Sequence, residues 1–463
     1  MQKANFYIIA CKGGCVVVLF LVCLLFSSCK KYLDEKPDKK ISTPATLEDL
    51  EGMIDYYFGM NARYPSAAEV SADNYYLTDA GWGSVTEPHR NYYTWQKYDN
   101  VKADWQFPYN SIFSCNVILE TLDRLKIAEG DQKRASAIRA SALFVRASQH
   151  FASAQLFAPA YDRNTARQQE GIPLKFSSDI EELSVRATVE QNYESILSDL
   201  KNSIQSLPVK PSLKYRPSKP AAYGAIARTY LAMREYEKAG LYADSCLQLY
   251  DSLMDYNTIS TSSSIPFKQF NSEVIYDARS TLPSALSPTI AKVDTSLYLS
   301  YETDDLRRTI FFRSNNDGSK SFKGNYTGQN NAMLFTGIAT DEMYLIRAEC
   351  YARSGNTSAA MNDLNNLLRT RWKSVSGITT YIDKSAASPL EALQILLTER
   401  RKELLFRNLR WSDLRRLNKE AQFAITLRRK LNNEFYELFP NSLRYVLQID
   451  RDAIRISGMN QNP

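Results

Sequence analysis

Hydrophobic positions change their spacing several times along the chain, and each change predicts a different element. From Cys15 to Phe26 all 12 residues are apolar. A helix needs about 20 apolar residues to cross a bilayer, so this run predicts the core of a signal peptide rather than a span. Lys3 and Lys12 precede it, and Ser27-Ser28-Cys29 places small residues where a signal peptidase needs them. Cleavage before Cys29 frees a thiol that can carry a diacylglycerol. The pattern therefore predicts a lipoprotein signal peptide at 1–28 and a lipidated, charged, Pro-containing tether at 29–45. Phe26 occupies the place where bacterial lipoproteins usually have Leu. An uncleaved anchor and an ordinary secretory signal are the alternatives.

From residue 46 the period becomes helical. Leu47 to Tyr64 fits a helix, whereas 65–104 breaks into Pro, Gly, Asn and aromatic clusters and reads as a loop-rich insertion. Helical spacing returns at Trp105 to Ile127 and at Gln132 to Leu156, where Ile138, Ala142, Val145, Ser148 and Ala152 form a narrow stripe that permits close packing. Another helix runs from Val189 to Leu207 and stops at Pro208.

An internal repeat follows. Ala227-Arg-Thr-Tyr230 through Ala239 aligns with Ala348-Glu-Cys-Tyr351 through Ala360, with alanine recurring after 12 residues in both. This is the pattern of a tetratricopeptide-like hairpin, two helices touching at alanines beside a gap-filling tyrosine. Between the copies, 252–335 is rich in Ser, Thr, Asn, Asp and Gly, with one strand-like run at Glu273 to Arg279, and a shorter polar stretch covers 373–388 before a helix from Pro389 to Phe406. The chain is thus expected to be mostly α, one domain over 46–463. Its helical scaffold lies at about 105–251 and 341–420, and its insertions carry few short strands.

Composition narrows the function. The net charge of +6 falls to +4 once Lys3 and Lys12 leave, with both signs interspersed, so the sequence shows no concentrated basic stretch for a phosphate backbone and no nucleic acid partner is expected. Cys115, Cys246 and Cys350 remain in the body, each in an apolar helical pattern, and read as core residues. The two histidines, His89 and His150, are too far apart for a zinc motif; His150 reads as packed in its helix and His89 as a surface hydrogen-bonding residue. Nucleophile elbows, phosphate loops and dinucleotide turns are missing from the sequence. Glu399 and Glu403 stand one helical turn apart among Arg400, Arg401, Lys402 and Arg407. Their spacing suits an ion-pair network, with Glu403 toward Arg407, better than a glycosidase pair. No catalytic residue, metal site or cofactor is expected.

Taken in order, the segments resemble the SusD/RagB family of surface nutrient-binding lipoproteins. The resemblance starts at Cys29-Lys-Lys-Tyr-Leu-Asp-Glu-Lys-Pro37 and continues through Ser71-Ala-Asp-Asn74, Trp105-x3-Tyr109-x2-Ile112-x3-Asn116 and the helix ending at His150 to Phe157. Gly171-Ile-Pro-Leu174, Arg186 to Tyr193, Lys219-Pro-Ala-Ala222, Asp341 to Glu349, Asn365 with Arg369-Thr-Arg371, Glu399 to Glu403 and Arg410 to Arg415 complete it. One departure is Arg407-Asn408-Leu409, where the family often has Glu-Gly; another is the spacer after Ala158.

The resemblance implies a SusD-like fold and a protein that performs no chemistry. It implies capture of a glycan or other nutrient at the outer membrane surface, and its delivery to a SusC-like TonB-dependent β-barrel transporter. Sugars in such proteins stack on loop aromatics, which points to Trp82, Arg90, Asn91, Tyr92, Tyr93 and Trp95, and to Tyr301, Arg307 and Tyr326. The competing reading is that these rings pack loops onto helices, as Trp105, Trp372 and Trp411 are expected to do in the core. A helical-repeat assembly factor and a surface glycosidase are the alternative functions.

Overall fold

Thr46 opens the body with a reciprocal cap: its hydroxyl accepts from Asp49 N, and the Asp49 carboxylate accepts from the Thr46 N–H. The computed structural model describes residues 44–329 and 333–463, so the signal peptide, Cys29 and nearly all of the tether lie outside the described residues. Residues 45–463 form one compact unit. The first helix is shorter than its periodicity predicts. It spans Leu47–Asp55, and after Tyr56 leaves helical geometry a single turn covers Tyr57–Met60.

Among the described residues, eight helices reach 13 residues or more: α1 Lys102–Arg124, α2 Gln132–Phe157, α3 Val189–Ile204, α4 Lys219–Ala232, α5 Tyr236–Leu249, α6 Thr340–Arg353, α7 Thr357–Arg369 and α8 Pro389–Glu403. Each packs on a neighbour in chain order, α1 on α2 through to α6 on α7, and α8 packs on α6. The fold is mostly α, and every sheet among the described residues has two strands.

The two repeats share their packing and their turn geometry. Ala227, Ala239, Ala348 and Ala360 are fully buried where their helices touch. In the first hairpin, Glu235 N donates to Tyr230 O at 2.9 Å, and Asn356 N donates to Tyr351 O at 2.8 Å in the second. These bonds satisfy carbonyls that a helix end leaves open, and they require a left-handed residue in the turn. Gly355 holds that position at φ +84° and Arg234 holds it at φ +62°. The first repeat therefore makes with an arginine a turn that the second makes with glycine.

The insertion between the repeats leaves and returns at one place. Val274–Tyr276 pairs with Ile338–Ala339, and Arg279–Thr281 pairs with Met333–Phe335, both antiparallel. Region 65–104 is more ordered than a loop, because it contains helices Ala67–Ser71, Asp79–Ser84 and Glu87–Tyr93.

The helix expected to reach Phe406 stops at Glu403. Phe406 and Asn408 adopt φ of +55° and +61°, with Asn408 making the turn. Asparagine tolerates this region better than most residues. Its backbone N–H is held by Glu69 Oε2 at 2.7 Å and its Nδ2 by Pro65 O at 2.8 Å.

Consequently the Glu403–Arg407 pairing along one helix does not form. Glu403 is instead gripped by Arg371 at 2.7 Å and Arg307 at 2.9 Å, while Arg407 pairs with Asp341 at 2.7 Å. Glu399 does join the network, through Arg307 at 2.6 Å and Lys402 at 2.9 Å. All these groups are buried. Burial would raise the Glu403 carboxyl, but Arg371 and Arg307 hold it down at about 2. Glu273, Asp341 and Glu403 place carboxylate oxygens within 4.8 Å of one another, yet Arg371, Arg407 and Arg307 already occupy them. A divalent cation would have to displace these arginines from the carboxylates.

The three body cysteines are free and buried, and Trp105, Trp372 and Trp411 lie in the core. His150 is fully buried in α2 with no hydrogen-bond partner, and burial pushes its imidazole down to about 3. His89 uses Nδ1 against the hydroxyls of Thr86 and Ser284 at 2.9 and 2.8 Å.

Candidate functional site

An open cleft of about 390 Å³ forms where the early aromatic segment meets a late hairpin. One wall is the strand Tyr75–Tyr76, paired with Lys292–Val293. The other is the strand Leu427–Leu431, paired with Glu434–Leu438. On this strand Leu427, Arg429 and Leu431 turn inward while Arg428 and Lys430 are exposed.

An inward arginine is costly unless its donors are satisfied. Arg429 is surrounded by rings, 3.6 Å from the Tyr93 centroid, 4.7 Å from Trp95 and 5.3 Å from Tyr75. Its guanidinium also donates to the carbonyls of Tyr93, Val70 and Ala72. Each ring is fixed in turn. The Tyr93 hydroxyl accepts from Leu77 N at 2.8 Å, Trp95 Nε1 donates to Ser71 O at 3.0 Å, and the Tyr75 hydroxyl donates to Val70 O at 2.8 Å. Burial lifts both tyrosines above their usual range, so they stay neutral.

Charged groups border the same cleft. Asp73 accepts from Arg410 at 2.7 and 2.9 Å and lies 3.3 Å from Arg401, which also reaches Asp294 at 3.7 Å. Burial alone would raise Asp73, but Arg410 and Arg401 hold its carboxyl below the usual range. Tyr76 is 37% exposed, enough to present part of its ring at the rim. The cleft thus sets the partly exposed ring of Tyr76 beside fixed donors and acceptors, while Tyr75, Tyr93 and Trp95 lie buried beneath it and hold Arg429 in place. This suits a hydroxylated ring, whose C–H face is apolar and whose hydroxyls need partners.

The residues singled out in the sequence divide among three places. Tyr93 and Trp95 line this cleft, both buried. Trp82 and Arg90 form a neighbouring partly exposed pair, with the guanidinium 6.0 Å from the indole and Arg90 Nη1 bonded to Val85 O at 2.9 Å. Asn91 bonds Glu87 O in its own helix, and Tyr92 is buried at 2% exposure. Tyr301, Arg307 and Tyr326 lie inside the protein. The Tyr301 hydroxyl donates to Lys402 O, that of Tyr326 to Glu273 Oε2, each at 2.7 Å, and Arg307 belongs to the central ion network. None of the three presents a face to solvent. Tyr75, Tyr76, Asp294, Arg401 and the strand carrying Arg428, Arg429 and Lys430 were not anticipated. The mixed run Leu427-Arg-Arg-Lys-Leu431 was their only sequence signal.

Comparison with known proteins adds to this geometry. No curated protein matches the chain. Among solved structures, a SusD superfamily protein from Bacteroides vulgatus is similar at 20% identity and a TM-score of 0.74, covering 91% of this chain and 99% of its own. A SusD superfamily protein from Bacteroides thetaiotaomicron gives 20% identity and 0.72, covering 90% and 100%. A laminarin binding SusD-like protein gives 19% and 0.65, covering 89% and 97%. The family model described as starch-binding associating with outer membrane matches residues 31–231. Because the model described as the SusD family then matches residues 298–459, the chain belongs to the SusD/RagB family.

Proposed function

We propose that this protein is a cell-surface glycan-binding lipoprotein that captures an oligosaccharide in the cleft between Tyr76 and the strand Leu427–Leu431, and delivers it to a SusC-like TonB-dependent transporter. It binds and releases without chemistry. The observation that carries the reading is the joining, in one open cleft, of the partly exposed Tyr76 ring and a rigidly held row of polar groups. The outer-membrane, starch-binding description of the matched family is consistent with it, and a lipid on Cys29 would tether the body to the outer leaflet without a span. Among the described residues no helix is long and apolar enough to cross a membrane.

Calorimetry with a panel of glucan, mannan and pectic oligosaccharides tests the binding. Tyr76→Ala and Lys430→Ala are expected to weaken the best ligand by about tenfold each, corresponding to about 1.4 kcal/mol. Unchanged affinity in both variants, or cleavage of the glycan, would overturn the reading. Cys29→Ala should release the folded protein from membranes, and the wild type should co-purify with a large β-barrel.

A further inference from the structure

The cleft does not end at Arg401. Next to it lies a groove of about 420 Å³, and Ser296, Arg401 and Ile425 line both spaces. All three shared side chains reach solvent, since Ser296 is exposed, Ile425 is 38% exposed and the Arg401 side chain 22%. The two spaces therefore meet at the surface rather than through the interior. Each falls within the range of a small-ligand site, about 300–1,000 Å³.

Local structure explains the groove. Gln394, Thr398 and Arg401 fall on one face of α8, with Gln394 and Thr398 exposed, while Leu393, Leu396 and Arg400 are buried on the other side. The segment from Gln422 to Ile425 adds an exposed amide and a half-buried ring at Phe423. The base is formed by Leu414 and Leu417, both buried, on the helix Arg410–Leu417. That helix is fixed to the body, because Arg415 donates to the carbonyls of Gln155 and Ala158 at the end of α2. The groove is thus as rigidly built as the cleft beside it.

Charge at the junction is already balanced. Arg401 reaches both Asp73 and Asp294, and Arg410 forks onto Asp73, so two arginines face two carboxylates. The rest of the groove lining is uncharged, and it sets hydroxyls and amides beside Leu397, Phe423 and Ile425. Such a surface selects neither an anion nor a cation. It suits uncharged rings that carry hydroxyls around an apolar face.

We propose that the groove is a second subsite for the same glycan chain, so that the ligand is a neutral oligosaccharide long enough to pass over Arg401 and occupy both spaces. This inference rests on the cleft being the glycan site. Units held in one space raise the local concentration of those entering the other, and affinity climbs with chain length until both are filled.

Calorimetry on the intact protein with neutral glucan and mannan oligosaccharides, from disaccharide to octasaccharide, tests it. The octasaccharide should bind at least about tenfold more tightly than the disaccharide of the same linkage. Thr398→Trp and Gln422→Trp each place a large ring in the groove from an exposed position, which leaves folding undisturbed. Either should bring the octasaccharide down to the affinity of the disaccharide and leave the disaccharide unchanged, whereas Tyr76→Ala should weaken both. Equal affinity at the two lengths, a length gain that survives either groove variant, or loss of disaccharide binding in them would overturn the assignment. Disaccharide binding that responds to Tyr76→Ala but gains nothing with length removes the groove alone. Absence of binding at every length removes the cleft with it.

Discussion

Arg416 and Glu349 meet as a two-bond fork, Nη1 to Oε1 at 2.6 Å and Nη2 to Oε2 at 2.8 Å, each side chain 1% exposed. The pair ties the helix Arg410–Leu417 to the second repeat. Removing one member leaves a charge in the interior, which typically costs about 3–5 kcal/mol. Arg416→Met should therefore lose stability on that scale in urea unfolding. A loss below about 1 kcal/mol would show that Arg353, which also reaches Glu349 at 2.8 Å, suffices alone.

Two buried glutamates should shape the pH profile in opposite directions. Burial pushes the Glu69 carboxyl up to about 7, despite bonds from Asn74 and Asn408. The stability this group contributes is present below its unfolded value near 4.5 and is lost as pH rises through about 7. At Glu349 burial is outweighed by Arg416 and Arg353, which hold it at about 2, so its contribution is present above about 4.5 and is lost as pH falls toward 2. Stability should peak near pH 5. Glu69→Gln should flatten the decline between pH 5 and 8, and parallel curves for variant and wild type would refute this role.

The matched turns of the two repeats offer a paired test. Nothing lies within 4 Å of a Cβ added at Gly355, so Gly355→Ala reports the left-handed backbone alone and should lose about 1 kcal/mol. Arg234→Gly relieves about 1–2 kcal/mol of the same strain and costs about 0.5–1 kcal/mol in chain entropy, a small net gain. The Arg234–Asp162 contact at 3.4 Å is long and only part-buried, too weak to reverse the sign. Thermal melting should shift down for the first variant and not for the second. A downward shift in both would refute the equivalence.

The repeat was legible because alanines twelve apart must both be small where helices touch, and those four alanines are wholly buried. The helices within 65–104 were not, since elements of five to seven residues are too short to display a period. The Glu403–Arg407 expectation assumed a helix that Phe406 and Asn408 end. At the cleft, Tyr93 and Trp95 could be named from aromatic clustering, and Asp73 stands in the quoted Ser71–Asn74 segment. The opposite wall could not, because Arg429 reaches Tyr93 across 336 positions. Tyr301 and Tyr326 were candidates as aromatics in polar sequence, and local composition does not record that both rings are buried.

Arg415 also bears on the timing of assembly. It closes the end of α2 from 260 positions downstream of Gln155. Chains emerge from the ribosome amino end first, so α2 waits with open carbonyls while more than half the sequence is made. A nascent chain truncated before residue 410 would lack this cap, the Glu349 fork and one wall of the cleft at once. Fragments carrying only the helical repeats are therefore expected to remain substrates for proteases, and quality control can act on unfinished chains before they occupy the membrane.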